Sequence, residues 1–238
     1  MLLFYAPDMP LDTILPEQES QHCIRVLRKQ TGDIIDITDG KGYFYQAQIT
    51  DAHPKRCQVA IVADRLFQPY WKNFIEIAIA PTKNLDRMEW FAEKATEIGI
   101  NKITFLKTRF SERKELKTDR IQKILISAMK QSEKAVLPEL QEMTDFKRFI
   151  IQPFNGQKFI AHCYPQEKEL LSKALRPNEN VLILIGPEGD FSEEEVGLAL
   201  QNGFQAISLG ESRLRTETAA ISACLTVQVL NQLILNTV

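Results

Sequence analysis

The stretch LILIGPEGDFSEEEV, residues 182–196, decides the fold. Its left half is apolar with no alternation, as in a parallel strand covered on both faces. Its right half opens a helix: Ser192 and Glu195 form a capping-box pair, and Val196, Ala199 and Leu200 give the inward stripe. Gly203 suits the C-terminus of that helix. Between the halves sits Gly-Pro-Glu-Gly. A strand that runs through a glycine-bracketed loop into a helix is a βα unit. In parallel sheets, ligands sit beyond the C-terminal ends of the strands.

Working outward, the same texture repeats. From residue 74 strands and helices alternate. FIEIAIA (74–80) is a strand, and a helix follows over 85–99 with Leu85, Met88, Phe91, Ala92, Ala95 and Ile98 on one face. ITFL (103–106) precedes a helix over 119–134 with Ile121, Ile124, Leu125 and Ala128 inward. KFIAHCY (158–164), a short helix near 166–175, VLILI (181–185), AISL (206–209) and a last helix over 217–235 complete the series. Five βα units predict an α/β fold with an open parallel sheet and helices on both faces.

The first part reads differently. IIDIT (34–38) meets YFYQAQIT (43–50) across Asp39-Gly40-Lys41-Gly42, a hairpin signal, and CQVAIVA (57–63) is another strand. One short helix over 16–29, with Pro16 near its first turn, carries His22, Arg25, Arg28 and Lys29. Residues 64–73, DRLFQPYWKN, read as a linker. The expected organisation is a small β domain, a barrel, over 1–68 and an α/β domain over 73–238.

The four cysteines, Cys23, Cys57, Cys163 and Cys224, form no CxxC pair. The neighbours His22-Cys23 and His162-Cys163 lack a second pair at ligand spacing, so no metal site is expected. The opening MLLFYAPDMP lacks the basic region of a secretory signal, and no apolar run approaches the roughly 20 residues of a membrane span. The expectation is a soluble cytoplasmic chain with reduced thiols. Net charge is -2, which alone argues against nucleic acid. Yet residues 102–134 hold ten Lys/Arg against four acids. That stretch suits a phosphate-bearing partner, or is simply a solvated helix face.

A second loop resembles the first in placement: Gly210-Glu211-Ser212-Arg213-Leu214-Arg215-Thr216-Glu217-Thr218 follows AISL and enters the last helix. Glycine permits close backbone approach to a ligand, and each helix start presents free N–H groups. No GxGxxG follows a strand and no GxxxxGK[ST] occurs, so neither a dinucleotide fold nor a P-loop is supported. Taken alone, GPEG reads equally as a tight turn before the Ser192 cap. The second loop is harder to explain structurally, because two arginines and a Glu crowd the approach to a helix of Thr, Ala and Ser.

LILIGPEGDFSEEEV followed by SLGESRLRTETAAISA resembles the paired signature of the 16S rRNA uracil-N3 methyltransferases of the SPOUT superfamily. HCIRVLR (22–28), KNLDRMEWFAEKATEIGINKI (83–103) and RIQKILISAMKQSEK (120–134) extend the resemblance over nearly the whole chain. The chain departs from the family pattern at three places. Asp190 stands where a second Gly is common, Ser212-Arg213-Leu214-Arg215 replaces an Arg-Ile-Leu-Arg order, and Lys130 and Lys134 stand where Glu and Arg are usual.

The resemblance implies a PUA-like RNA-binding β-barrel followed by an S-adenosylmethionine-dependent domain whose loops form a deep trefoil knot. No periodicity or spacing carries the knot. It implies that Ile185, Gly186, Gly189, Leu209, Gly210, Leu214 and Arg215 hold S-adenosylmethionine, with Ala161 and His162 nearby. His162 reads equally as a part-buried strand residue. Arg215 is expected as the electrostatic group, and Glu188 and Glu217 stand level as base candidates or as helix N-terminal charges. Arg25, Arg28, Lys83, Arg109 and Arg113 are expected to contact 16S rRNA. A homodimer is implied, with the last helix in its interface through Ile221, Cys224, Leu225, Leu230 and Leu233; packing within the domain explains that stripe as well. A SPOUT ribose 2′-O-methyltransferase and a non-catalytic ribosome-assembly factor remain as other readings, although the loop motifs of the former are absent.

Overall fold

The computed structural model describes residues 2–235 and divides into two compact units. One unit contains the chain through Pro69 together with Ile126–Leu137; the other holds Tyr70–Leu125 and the chain from Pro138 onward.

In the first unit, β1 (Leu3–Tyr5), β2 (Ile34–Thr38), β3 (Tyr43–Asp51) and β4 (Gln58–Leu66) form a sheet in that order. β1 runs parallel to β2, and the other pairs are antiparallel. Residues 13–15 bring the N-terminal run back to the far edge: Leu15 N–H donates to Cys57 O (2.9 Å) and Val59 N–H to Thr13 O (3.0 Å). The sheet thereby curls on itself around a core of Phe4, Leu15, Cys23, Ile37, Ala47 and Ile49. The β2–β3 hairpin is set by Asp39, whose Oδ1 accepts from the N–H groups of Lys41 (2.7 Å) and Tyr43 (3.0 Å). β4 extends to Leu66, into the stretch that reads as a linker.

The expected 16–29 helix is shorter. α1 (Glu17–Gln21) continues as a π-helical turn, His22–Val26, and Arg28 at φ 56° ends it. Residues 126–137 join this unit because Ala135 packs with Leu3 and Phe44. The backbone of this segment also pairs with the hairpin, Gly42 N–H donating to Ala135 O and Leu137 N–H to Gly40 O, both at 2.8 Å.

The second unit contains β5 (Ile75–Ile79), α2 (Leu85–Ile98), β6 (Lys102–Lys107), the start of α3 (Asp119–Gln131), β7 (Glu139–Asp145), α4 (Phe146–Ile150) and β8 (Gln157–Ala161). β9 (Glu169–Leu170), α5 (Leu171–Ala174), β10 (Val181–Ile185), α6 (Glu193–Gln201), β11 (Gln205–Ser208) and α7 (Thr216–Leu235) follow. Seven parallel strands lie in the order β7-β6-β5-β10-β8-β11-β9. The sequence pattern had indicated five. β7 and β9 sit at the two edges and are largely exposed, so neither carries the apolar run that marks a strand.

β10 is inserted between β5 and β8. All five of its residues are buried, as two-sided coverage requires. Leu182 and Leu184 pack with Phe146, Phe149, Val196 and Ala199 of α4 and α6, and α7 lies against α2, β5 and β10. The capping box forms: Ser192 Oγ accepts from Glu195 N–H (3.3 Å), and Glu195 Oε2 accepts from Ser192 N–H (2.8 Å). Among the described residues no helix is long and apolar enough to cross a membrane.

Candidate active site

The C-terminal ends of three adjacent strands, β8, β10 and β11, open into a cavity of about 990 Å³. The two motif loops form most of its wall. Ile185, Gly186, Glu188, Gly189, Leu209, Gly210, Leu214 and Arg215 all line it, together with Ala161 and His162. The seven residues expected to hold a cofactor are thus brought to one surface by the strand order alone.

Gly210 takes φ 121°, a conformation that only glycine adopts freely. A Cβ there would meet no atom within 4 Å, because the position faces the open cavity. His162 is 7% exposed. The Gln166 amide nitrogen lies 2.8 Å from its Nε2; with the amide donating, the ring proton sits on Nδ1, which is buried with no partner. Burial first, then Lys168, holds the imidazole pKa below the ordinary histidine range, with Asp190 acting the other way. The ring is therefore neutral, with its N–H buried in the cavity wall.

Asp190 explains one departure from the family pattern. It takes φ 65°, a left-handed position that favours glycine and tolerates Asp. Its carboxylate holds the loop: Oδ1 accepts from Phe191 N–H and Oδ2 from Cys163 N–H, both at 2.7 Å. The side chain thus ties the β10 loop to the β8 end. Asp190→Gly is expected to relieve the backbone but lose both charge-assisted bonds, a net cost of about 1 kcal/mol. The melting temperature should fall by about 2–4 °C, as differential scanning calorimetry would show; an unchanged or higher value would mean the ties contribute nothing.

The two candidate carboxylates have different surroundings. Glu188 is exposed; its Oε1 accepts from Lys83 N–H (3.1 Å) and lies 3.9 Å from Arg87 Nη1. Glu217 is buried, 7% exposed, at the start of α7. Its Oε1 lies 3.7 Å from Arg87 Nε, while its Oε2 has no hydrogen-bond partner. Glu217 lines a second cavity of about 370 Å³ with Asp86, Arg87, Trp90, Arg215 and Thr218. Arg87 and Arg215 line both cavities. Sequence reasoning passed over Arg87 and Trp90, although both lie within the quoted KNLDRMEW run. Their signal is weak because α2 meets the α7 start only in the folded chain.

The cations expected at RNA divide into two groups. Arg25 and Arg28 are exposed on the first unit. Lys83, Arg109 and Arg113 gather in the second: Lys83 pairs with Glu112 (3.3 Å), and Arg113 Nε donates to Lys83 O (2.9 Å). Arg109 pairs with Glu194 (2.7 Å), and its N–H donates to Glu195 Oε1 (2.8 Å). Several of the 102–134 cations are already paired or buried: Lys102 lies near Glu76 (3.8 Å), Arg120 pairs with Glu89 (2.8 Å), Lys130 pairs with Glu19 (2.6 Å) and Lys134 is 7% exposed. The expected α7 stripe also divides: Cys224 is buried, while Leu225 and Leu233 are exposed. Among the described residues no group of three His, Cys, Asp or Glu could hold a metal ion.

Comparison with known proteins identifies a family. A family model described as RNA methyltransferase domain matches residues 69–228, and one described as RNA methyltransferase PUA domain matches residues 15–62. The ribosomal RNA small subunit methyltransferase E of Rickettsia conorii is 31% identical over 208 residues, covering 86% of this chain and 84% of that one. The crystal structure of a probable rRNA-methyltransferase from Porphyromonas gingivalis is 43% identical, with a TM-score of 0.94, and covers 98% of this chain and 100% of that chain. The ribosomal RNA small subunit methyltransferase E from Neisseria gonorrhoeae, solved bound to S-adenosyl methionine, is 27% identical with a TM-score of 0.85, covering 97% of this chain and 98% of that one.

Proposed function

The chain belongs to the RNA methyltransferase family, and from that premise we propose that it methylates N3 of a specific uridine in 16S ribosomal RNA, using S-adenosylmethionine. The observation that carries this reading is the strand-end cavity, whose wall is built from both motif loops. It abuts a second cavity that holds a buried carboxylate with an uncommitted oxygen.

The larger cavity fits the cofactor. The open space over Gly210 and the unpartnered His162 Nδ1 are a backbone cradle and a polar contact awaiting a ligand. Ile185, Gly186, Gly189, Leu209, Gly210, Leu214 and Arg215 would hold it. When bound, S-adenosylmethionine supplies an electrophilic methyl group on a sulfonium. The chain's own task is to make uracil N3 a nucleophile, since N3 is a poor one while protonated. Glu217 takes the N3 proton, which supplies about 10²- to 10⁴-fold. Arg215 stabilises the negative charge that spreads onto the flanking carbonyl oxygens. Glu188, held by Lys83 N–H and close to Arg87, braces the loop.

The reading extends to the knotted path of the motif loops and to domains over 1–68 and 73–238. It also includes a homodimer, for which Leu225 and Val229 of α7, 48% and 47% exposed, offer apolar surface. Action on ribosomal RNA places the protein in the cytoplasm, at the small ribosomal subunit. Lys83, Arg109 and Arg113 lie beside the cavity loops, where they would meet phosphates, while Arg25 and Arg28 serve on the N-terminal domain. Arg25→Ala combined with Arg28→Ala should flatten the plot of log affinity against log salt by about 1.4–1.8; an unchanged slope would remove them from the interface.

The test of the function is methyl transfer to small subunits isolated from a strain lacking the enzyme. Mass spectrometry of digested 16S rRNA should then show new 3-methyluridine. A ribose methyl in its place, or no methyl at all, would overturn the proposal.

A further inference from the structure

Uracil presents an acceptor, a donor and an acceptor along its Watson–Crick edge: O2, N3–H and O4. Its complement is donor, acceptor, donor. The second cavity is lined by two donors and one acceptor, the same three groups in kind. Arg87 and Arg215 can only donate, Glu217 Oε2 can only accept while ionised, and Oε2 is buried without a partner. A fourth lining residue, Trp90, is a large aromatic left 44% exposed on α2. Exposed aromatics beside arginines are the usual platform for an unstacked base. The cavity, about 370 Å³, is within the ordinary range for a small-ligand site.

We infer that this second cavity receives the target base, stacked on Trp90, and selects uracil over cytosine through Arg87, Glu217 and Arg215. The inference rests on the methyltransferase reading above and adds the place where the acceptor base sits. Cytosine is rejected for a physical reason. Its N3 is an unprotonated acceptor, which would oppose the Glu217 carboxylate, and its amino group would oppose an arginine. The site is adjacent to the methyl donor because Arg87 and Arg215 border both cavities. A base in the second cavity would therefore lie next to the larger one.

The two tryptophans make a direct test. Trp71 is buried at 3% exposure, whereas Trp90 is exposed, so a base that stacks on Trp90 quenches one fluorophore and leaves the other. Titration of the full chain with short oligouridylate should quench the emission, and oligocytidylate should quench it at least about tenfold less readily, as expected when buried polar groups are left opposed. Trp90→Phe should lose the quenching and keep the Trp71 signal. In methyl transfer to small subunits, Trp90→Ala should raise KM roughly 5- to 150-fold, the range for loss of one stacked base. Trp90→Phe should recover most of that loss, and calorimetric affinity for S-adenosylmethionine should be unchanged in both variants.

Equal quenching by the two oligonucleotides would overturn the uracil selection. An active wild type whose Trp90→Ala variant keeps its KM would overturn the site while leaving the function intact. Loss of S-adenosylmethionine binding in Trp90→Phe would also overturn it, by placing Trp90 in support of the donor cavity. Wild type that transfers no methyl to small subunits would instead overturn the function on which the inference rests.

Discussion

Glu217→Gln is expected to lower kcat by about 10²- to 10⁴-fold, the usual contribution of a positioned general base. The substitution keeps the shape of the side chain and its acceptor oxygen but removes the capacity to take a proton. KM for small subunits should therefore change little, and affinity for S-adenosylmethionine should not change. Glu188→Gln should lose less than about tenfold in kcat, because Glu188 Oε1 accepts a backbone N–H and an amide oxygen can do the same. The contrast between the two variants carries the argument. Equal losses would mean that the two carboxylates act together across Arg87, which lies 3.9 Å from one and 3.7 Å from the other. Full activity in Glu217→Gln would require a base from elsewhere or from water. Single-turnover methyl transfer with the enzyme in excess over the particles isolates the chemical step from product release.

Gly210→Val should weaken S-adenosylmethionine binding by at least about 100-fold. Two effects combine. The φ of 121° is strained for any residue with a Cβ and most strongly for a β-branched one. The added side chain also enters the space over which the cavity is open. Gly210 is exposed and no core residue depends on it, so circular dichroism and melting temperature should stay close to wild type. Isothermal titration makes the measurement. Retained affinity would remove the second motif loop from the cofactor site, and a collapsed melting temperature would mean that the loop supports the fold as well.

The sequence carries the architecture unevenly, for physical reasons. β10 is legible because two-sided burial forces an unbroken apolar run, β5 because Glu76 alone interrupts its apolar run, and α6 because Ser192 and Glu195 cap each other within one turn. β7 and β9 are edge strands with exposed side chains, so nothing in their composition separates them from loops. β1 is three residues long and owes its strand character to pairing with β2. Residues 126–137 belong with the N-terminal unit through Ala135 and two backbone bonds to the hairpin, none of which leaves a periodic trace. Among the site residues, the motif loops are legible because glycine and paired charges at a helix start have few structural uses. Arg87 and Trp90 are not, since on an isolated α2 they look like any solvated helix face. Their meaning comes from α7, more than a hundred residues later.

The carboxylate at the start of α7 also bears on how well the empty protein holds together. A buried acceptor with no partner costs about 1–3 kcal/mol, a sizeable fraction of the 5–15 kcal/mol that typically separates folded from unfolded chains. Glu217 Oε2 therefore makes the resting protein less stable than an apolar residue at the same position would. Selection for a durable fold alone would remove it. It is a place where thermal robustness is given up, to be recovered only while a donor occupies the site.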